Sequence, residues 1–171
     1  MASTLLIAYG NPSRQDDGLA YHLVLTLRNL LGLASIPLDE LADGELLPGL
    51  QVYYTQQLMP EMAELLSEVD TVVFMDAHVA GTAYQPIHFQ EIQPLFRPSM
   101  VSHHFKPEVL VAYSMSLFGR APRALILSVL GTNFDFGTEL SPGAAERTIE
   151  AAFLLATQLG FTPVKSGIPT P

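Results

Sequence analysis

Acidic residues stand at two places where the sequence predicts that a buried strand ends. Asp16 and Asp17 follow a dense turn, residues 10–13, which itself follows the apolar run at residues 5–9. Asp76 comes directly after a run of four apolar residues. Short apolar runs bounded by turn residues are typical of strands buried on both faces. Because ligands of α/β proteins bind beyond the carboxyl ends of such strands, these acids are candidates for chemistry.

Each acid also has a structural interpretation. A carboxylate in the first turn of a helix is stabilised by the helix dipole and can accept hydrogen bonds from free backbone N–H groups. One member of the Asp16–Asp17 pair is enough for that purpose, which leaves the other for chemistry. Asp76 can likewise cap the turn that follows its strand.

Histidine supplies a second type of ligand. His103 and His104 are adjacent and precede a predicted helix that begins at Pro107, whose N-terminus should face the same edge as the acids. A histidine in a loop is more commonly a solvated surface residue. Two carboxylates and one imidazole that meet at one sheet edge would suit a borderline divalent metal such as nickel or zinc.

The remaining histidines and motifs carry less information. His78 is a weaker candidate because it lies in the loop after Asp76, and His22 and His88 are interpreted as structural. The sequence has no phosphate-binding loop, no GxSxG elbow and no HExxH motif. Ser102 precedes the histidine pair, but neighbours in sequence rarely form a catalytic triad.

Composition limits the class of protein. We expect one domain over residues 1–171, with an ordered core at about residues 4–160 and a loose tail at 161–171. No apolar run reaches the roughly 18 residues of a membrane span, and no signal peptide is evident, so we expect a cytoplasmic protein. The chain has no cysteine, which excludes disulfides and a cysteine nucleophile. A net charge of −9 argues against nucleic acid or an anionic membrane as partner.

The elements that would position the acids alternate between strand and helix. Predicted strands cover residues 5–9, 50–55, 71–76, 84–92 (an edge strand) and 124–130. Predicted helices cover residues 19–31, 62–69, 107–118 and 142–159, the last with Ser141 as N-cap. Residues 33–48 are predicted to be a surface connection with room for one helical turn. Right-handed crossovers then give a three-layer α/β/α sandwich around a mostly parallel, twisted sheet of about five strands.

Several segments resemble those of a known family. Residues 9–18 resemble the GxGNxxxxD(D/E)GxG opening of the [NiFe]-hydrogenase maturation endopeptidases. Residues 73–77 resemble the second acidic strand end of that family, and residues 102–119 resemble its histidine segment. Residues 57–61 and 134–142 are similar to the branch that processes bidirectional, NAD-linked hydrogenases.

The likeness spans residues 4 to about 159 and includes departures. Ala8 and Ala20 replace the first and last glycines of the opening motif. Gln56 stands where closer relatives carry a histidine.

The resemblance implies a ligand set for nickel. In that family an acid of the first motif, the strand-end aspartate and a histidine meet a nickel ion. The corresponding residues here are Asp17, Asp76 and one of the histidine pair. Alignment by the proline that follows four residues later, Pro107, selects His103, which we favour. Alignment by counting back from the helix-ending glycine, Gly119, selects His104. Asp16 is then either a cap or a base for the attacking water.

The resemblance also implies an activity, that of an aspartyl-type endopeptidase. The family removes a short C-terminal peptide from the nickel-loaded precursor of the hydrogenase large subunit. The precursor supplies the nickel, which serves as the recognition element. Two alternatives stay open: a nickel-sensing chaperone that binds the precursor without cutting it, and a nucleotide-binding α/β enzyme, which the missing phosphate loop disfavours.

Overall fold

The computed structural model of the chain describes residues 2–96 and 105–162. Two sequence predictions therefore lie outside the described residues, namely the histidine pair His103–His104 and most of the loose tail at 161–171. In the described part of the chain, no helix combines the length and the hydropathy that a membrane span needs.

The described residues form six strands and four helices. The strands are β1 Thr4–Tyr9, β2 Gly44–Leu47, β3 Leu50–Thr55, β4 Thr71–His78, β5 Ile87–Ile92 and β6 Arg123–Leu130. The helices are α1 Leu19–Leu30, α2 Ala63–Ser67, α3 Pro107–Phe118 and α4 Pro142–Gln158. Three short 3-10 turns add to them: Gln15–Gly18, Leu38–Glu40 and Pro60–Met62.

The strands form one mixed sheet in the order β2-β3-β1-β4-β6-β5. β1 is parallel to both β3 and β4, and β2 is antiparallel to β3. The sheet and its helices confirm the predicted α/β sandwich, and β5 lies at the predicted edge.

One strand was not predicted. β2 lies inside residues 33–48, where we expected only a surface connection with one helical turn. The helical turn is present as Leu38–Glu40, but the chain then returns antiparallel to β3. The two residues that open β2 are exposed, so the segment lacks the apolar alternation that identifies a strand in sequence.

The centre of the sheet is apolar on both faces. Leu6, Ile7 and Phe74 are completely buried in β1 and β4. Full burial of a side chain of this size contributes roughly 1.5–3 kcal/mol. The paired register of β1 and β4 runs from Thr4 opposite Thr71 to Ala8 opposite Met75, so both strands point their carboxyl ends to the same edge.

The chain divides into two compact units. The first comprises Met1–Gly10, Ala42–Met75 and His88–Ser128, and contains most of the sheet together with α2 and α3, which pack on each other. The second comprises Asn11–Leu41, Asp76–Ile87 and Val129–Pro171, and contains α1 packed against α4. The single domain expected from length stays a prediction.

Candidate active site

The acidic loop, residues 10–18, connects β1 to α1 and carries Asp17. The backbone N–H of Asn11 donates to Asp17 Oδ2 at 2.8 Å, and the N–H of Asp17 donates to the carbonyl of Arg14 at 3.1 Å. The Asp17 side chain is partly buried. Because a carboxylate offers about four acceptor positions, the Asn11 hydrogen bond orients Asp17 and leaves it able to bind a metal ion.

Close packing explains the residues of the acidic loop. A Cβ atom at Gly18 would lie 2.6 Å from the Cα of Pro12, so only glycine fits there. The N–H of Ser13 donates to the side-chain oxygen of Asn11 at 2.9 Å, which forms an Asx turn. Gln15 adopts a φ of 45°, a conformation that non-glycine residues seldom take outside tightly determined sites.

The brace loop, residues 131–141, connects β6 to α4 and binds the acidic loop through the main chain. The N–H of Gln15 donates to the carbonyl of Gly137 at 2.8 Å, and the N–H of Gly137 donates to the carbonyl of Ser13 at 3.0 Å. Paired hydrogen bonds in both directions make a short parallel bridge at this point. The two loops therefore hold each other in place.

Asp16 is the buried link between the two loops. Its side chain has no exposed surface. Its carboxylate accepts hydrogen bonds from the N–H groups of Thr132 (2.8 Å), Asn133 (3.0 Å) and Ser141 (2.8 Å), and from the Ser141 hydroxyl (2.6 Å). Its own N–H donates to the carbonyl of Asn133 at 3.0 Å. One side chain thus fixes both ends of the brace loop.

The electrostatics of Asp16 do not suit a general base. Burial alone would raise its pKa, but the Ser141 hydroxyl and the three backbone N–H groups outweigh burial and lower the pKa below its usual value. A carboxylate with a low pKa and four donors around it takes up a proton poorly. The base role assigned to Asp16 stays a prediction, and this geometry disfavours it.

The predicted capping roles need correction. Among the described residues, neither the turn Gln15–Gly18 nor α1 has a side-chain hydrogen bond at its N-cap position. Asp16 accepts instead from the N–H of Ser141, at the start of α4. Ser141 does occupy the N-cap position of α4 as predicted, but its hydroxyl donates to Asp16 and makes no cap hydrogen bond.

Asp76 lies just beyond the last residue of β4 that pairs with β1. It is partly buried, and the paired register of the two strands ends one residue earlier, at Met75. The prediction that the strand ends on Asp76 is wrong, because β4 continues to His78. The pairing with β1 ends at Met75, so Asp76 stands at the carboxyl edge of that pair.

His78 has a structural setting. Its ring is buried and meets Tyr84 edge to face, with the ring centroids 5.3 Å apart. Its carbonyl accepts the N–H of Gly131 at 2.9 Å, which ties β4 to the brace loop. A Cβ at Gly131 would lie 2.9 Å from the Cβ of Asp16, so this close approach requires glycine.

His22 also supports the brace loop. Its Nε2 donates to the carbonyl of Thr138 at 2.8 Å, and burial lowers its pKa despite that hydrogen bond. The imidazole is therefore neutral at neutral pH, consistent with the structural interpretation from sequence.

Two of the predicted ligands come after the paired parts of neighbouring parallel strands. Asp17 follows β1 and Asp76 follows the paired part of its parallel neighbour β4, and both acids belong to the second unit. His103 and His104 lie outside the described residues. Within residues 2–96 and 105–162, no group of three or more acidic or histidine side chains could hold a metal ion.

Sequence reasoning missed the brace loop as part of the site. Thr132, Asn133 and Gly137 have no distinctive chemistry of their own, and they act through their backbone groups. A usable signal was present, since a loop with two glycines follows β6, a buried apolar strand.

The fold is that of the hydrogenase maturation proteases. HycI from Thermococcus kodakarensis superposes with a TM-score of 0.58 and 22% identity over 93% of this chain and 93% of that chain. HybD from the same organism superposes with a TM-score of 0.59 and 18% identity over 92% of this chain and 98% of that chain. HybD from Escherichia coli, a hydrogenase maturating endopeptidase, has a TM-score of 0.59 and 14% identity over 92% of this chain and 94% of that chain. No protein-family model matches the chain, and no curated protein matches it significantly.

Proposed function

We propose that this chain is a hydrogenase maturation endopeptidase. It removes a short C-terminal peptide from the nickel-loaded large-subunit precursor of a [NiFe] hydrogenase, of the bidirectional, NAD-linked type, in the cytoplasm. The proposal is supported by Asp17 in the loop after β1 and Asp76 just past the paired part of its parallel neighbour β4, in a fold shared with maturation proteases.

The nickel ion belongs to the substrate in this proposal. Asp17 and Asp76 supply oxygen ligands, and His103 or His104 supplies nitrogen. Without a thiolate this set binds free nickel only modestly, because the softer ligands are missing. Thiolates of the precursor complete the coordination, so the ion bridges the two proteins and marks the precursor that is ready for processing.

The remaining residues of the site act by positioning. Asn11 orients Asp17 through its backbone N–H. Asp16 stays ionised and holds the brace loop against the acidic loop. The bound nickel can also act as a Lewis acid on the scissile carbonyl, and hydrolysis then adds water across the peptide bond to release a new carboxylate and a new amine.

Processing of purified precursor tests the proposal. The protein is incubated with nickel-loaded and nickel-free precursor, and the large subunit is weighed by intact mass spectrometry. We expect loss of a small C-terminal mass from the nickel-loaded form alone. Glu150→Gln, which removes an exposed charge on α4, is the matched control and should cleave like the wild type.

A second candidate function uses the same ligands without hydrolysis. A nickel-sensing chaperone would bind the nickel-loaded precursor and leave its mass unchanged. Binding measured together with an unchanged mass would replace the endopeptidase by this chaperone, whereas cleavage of both precursor forms would show that nickel is not recognised.

A further inference from the structure

Phe136 is an aromatic side chain at the surface of the brace loop. It is 83% exposed, more than any other large apolar side chain among the described residues. Single exposed apolar residues are common and need no explanation by themselves. The contacts that hold Phe136 in place distinguish it from the others.

A cation and a braced backbone fix the position of this ring. The guanidinium carbon of Arg14 lies 5.0 Å from the centroid of the Phe136 ring, a cation–π contact. Arg14 Nε also donates to the carbonyl of Phe134 at 3.1 Å. The next residue, Gly137, exchanges hydrogen bonds with Gln15 and Ser13 of the acidic loop. The ring therefore lies next to a cation and beside a hydrogen-bonded stretch of backbone.

The same contacts lead directly to the candidate active site. The carbonyl of Arg14 accepts the N–H of Asp17 at 3.1 Å, so one residue links the exposed ring to a proposed nickel ligand. A cleft of about 380 Å³ lies beside the two loops and is lined by Pro12, Ser13, Leu38, Asp39 and Thr138. A partner that reaches Asp17 would cover this surface.

We propose that Arg14 and Phe136, the Arg–Phe pair, are the docking anchor for the folded large-subunit precursor. This inference rests on the proposed function and adds the surface that recognises the protein part of the substrate. The partner surface offers an apolar pocket for the ring and an acceptor, carboxylate or carbonyl, for the guanidinium.

Three physical arguments support this partner. Aromatic and arginine side chains dominate binding hot spots, and a side chain that is already held loses little entropy when it binds. The ion pairs of the described residues involve Arg120 and Arg123, so the charge of Arg14 stays available to a partner. A second copy of this chain is disfavoured as the occupant, because two molecules of net charge −9 repel each other.

The test separates docking from cleavage. Nickel-loaded precursor is titrated onto immobilised wild type, Phe136→Ala, Arg14→Gln and Leu117→Ala, and the same variants are assayed for cleavage. Leu117, 67% exposed on α3, is the matched control. We expect Phe136→Ala to raise Kd and KM about thirty-fold and Arg14→Gln about tenfold, with kcat unchanged. Leu117→Ala should match the wild type, and thermal melts should show that every variant folds.

Each other result overturns a definite part of the argument. Equal Kd values for wild type and Phe136→Ala overturn the docking anchor, as does a wild type that fails to bind the precursor. If the wild type binds the precursor but does not cleave it, the proposed endopeptidase activity is contradicted. The Kd values of wild type and Phe136→Ala then still decide whether the Arg–Phe pair is the docking anchor. Sedimentation in which Phe136→Ala abolishes self-association would assign the ring to a second copy and overturn the precursor as its partner.

Discussion

Each edge of the β1–β4 pair carries a carboxylate that makes several hydrogen bonds, but the two carboxylates have different surroundings. At the amino edge, Asp70 accepts the N–H of Ser3 at 2.8 Å and its hydroxyl at 3.2 Å, and pairs with Arg120 at 2.8 Å. The Asp70 side chain is 48% exposed. At the carboxyl edge, Asp16 has no exposed surface and accepts four hydrogen bonds from the brace loop.

The two edges differ in how far their hydrogen-bonding groups are exposed to solvent. The amino edge uses exposed side chains that water and salt screen, which contributes little to stability. The carboxyl edge instead has a buried carboxylate, a residue with positive φ and two glycines at sites of close approach. This construction fixes the conformation of the loop that carries Asp17.

Replacement of the proposed ligands should give the largest effect. Asp17→Asn and Asp76→Asn remove charge and metal affinity but keep the shape of the side chain. We expect processing of nickel-loaded precursor to fall about a hundred-fold or more, with little change in melting temperature. Intact mass spectrometry over time measures the rate, and Asp70→Asn at the opposite edge is the control. Wild-type rates in both ligand variants would show that the carboxyl edge is only structural.

The histidine pair should respond unequally. The resemblance to the maturation endopeptidases calls for a single histidine ligand, and we favour His103 over His104. We expect His103→Ala to slow processing about tenfold or more, and His104→Ala to have a smaller effect. The same precursor assay measures both. The reverse order would assign the ligand to His104, and equally mild effects would remove the pair from the site.

Replacement of the buried Asp16 should lower stability far more than replacement of the exposed Asp70. Asp16→Ala leaves three backbone N–H groups without their acceptor, at a cost of about 3 kcal/mol in the free energy of unfolding. The contribution of Asp16 is present above its unfolded pKa of about 3.9 and is lost as pH falls through its lower folded pKa. Urea unfolding at neutral pH compares Asp16→Ala with Asp70→Ala, whose free energy of unfolding should decrease much less. Equal losses would remove the contrast between the edges.

The parts of the molecule that follow local rules could be predicted from the sequence. The apolar runs of β1 and β4 predict their burial and their neighbouring positions, and Pro107 and Gly119 mark the ends of α3. The fold class follows from these signals, whereas the roles of Asp17 and Asp76 stay predictions. β2 could not be predicted, because its opening residues are exposed and its pairing with β3 decides its structure.

The sequence does signal a glycine-containing loop after β6, but the contacts of this brace loop with Asp16 could not be predicted, for a different reason. Asp16 meets Thr132 and Ser141 across sequence separations of 116 and 125 residues. The donors are mostly backbone N–H groups, which every non-proline residue carries, so nothing in the sequence marks them as partners of an acid. The sequence therefore left cap and base open for Asp16, and the fold supplied a third role.

The smallest effect we predict concerns the pH dependence of the brace loop. Burial lowers the pKa of His22 in the folded protein, whereas the unfolded chain binds a proton with a pKa of about 6.5. As pH falls below that value, the unfolded state takes up more protons than the folded state, so the free energy of unfolding decreases. His22→Gln keeps an N–H that can donate to Thr138 but cannot titrate. Between pH 7 and pH 5, urea unfolding should therefore show a larger decrease in the free energy of unfolding for the wild type than for His22→Gln. The difference between the two decreases should be smaller than the decrease caused by Asp16→Ala. Parallel losses in the two proteins would mean that His22 supports the loop without coupling it to protons.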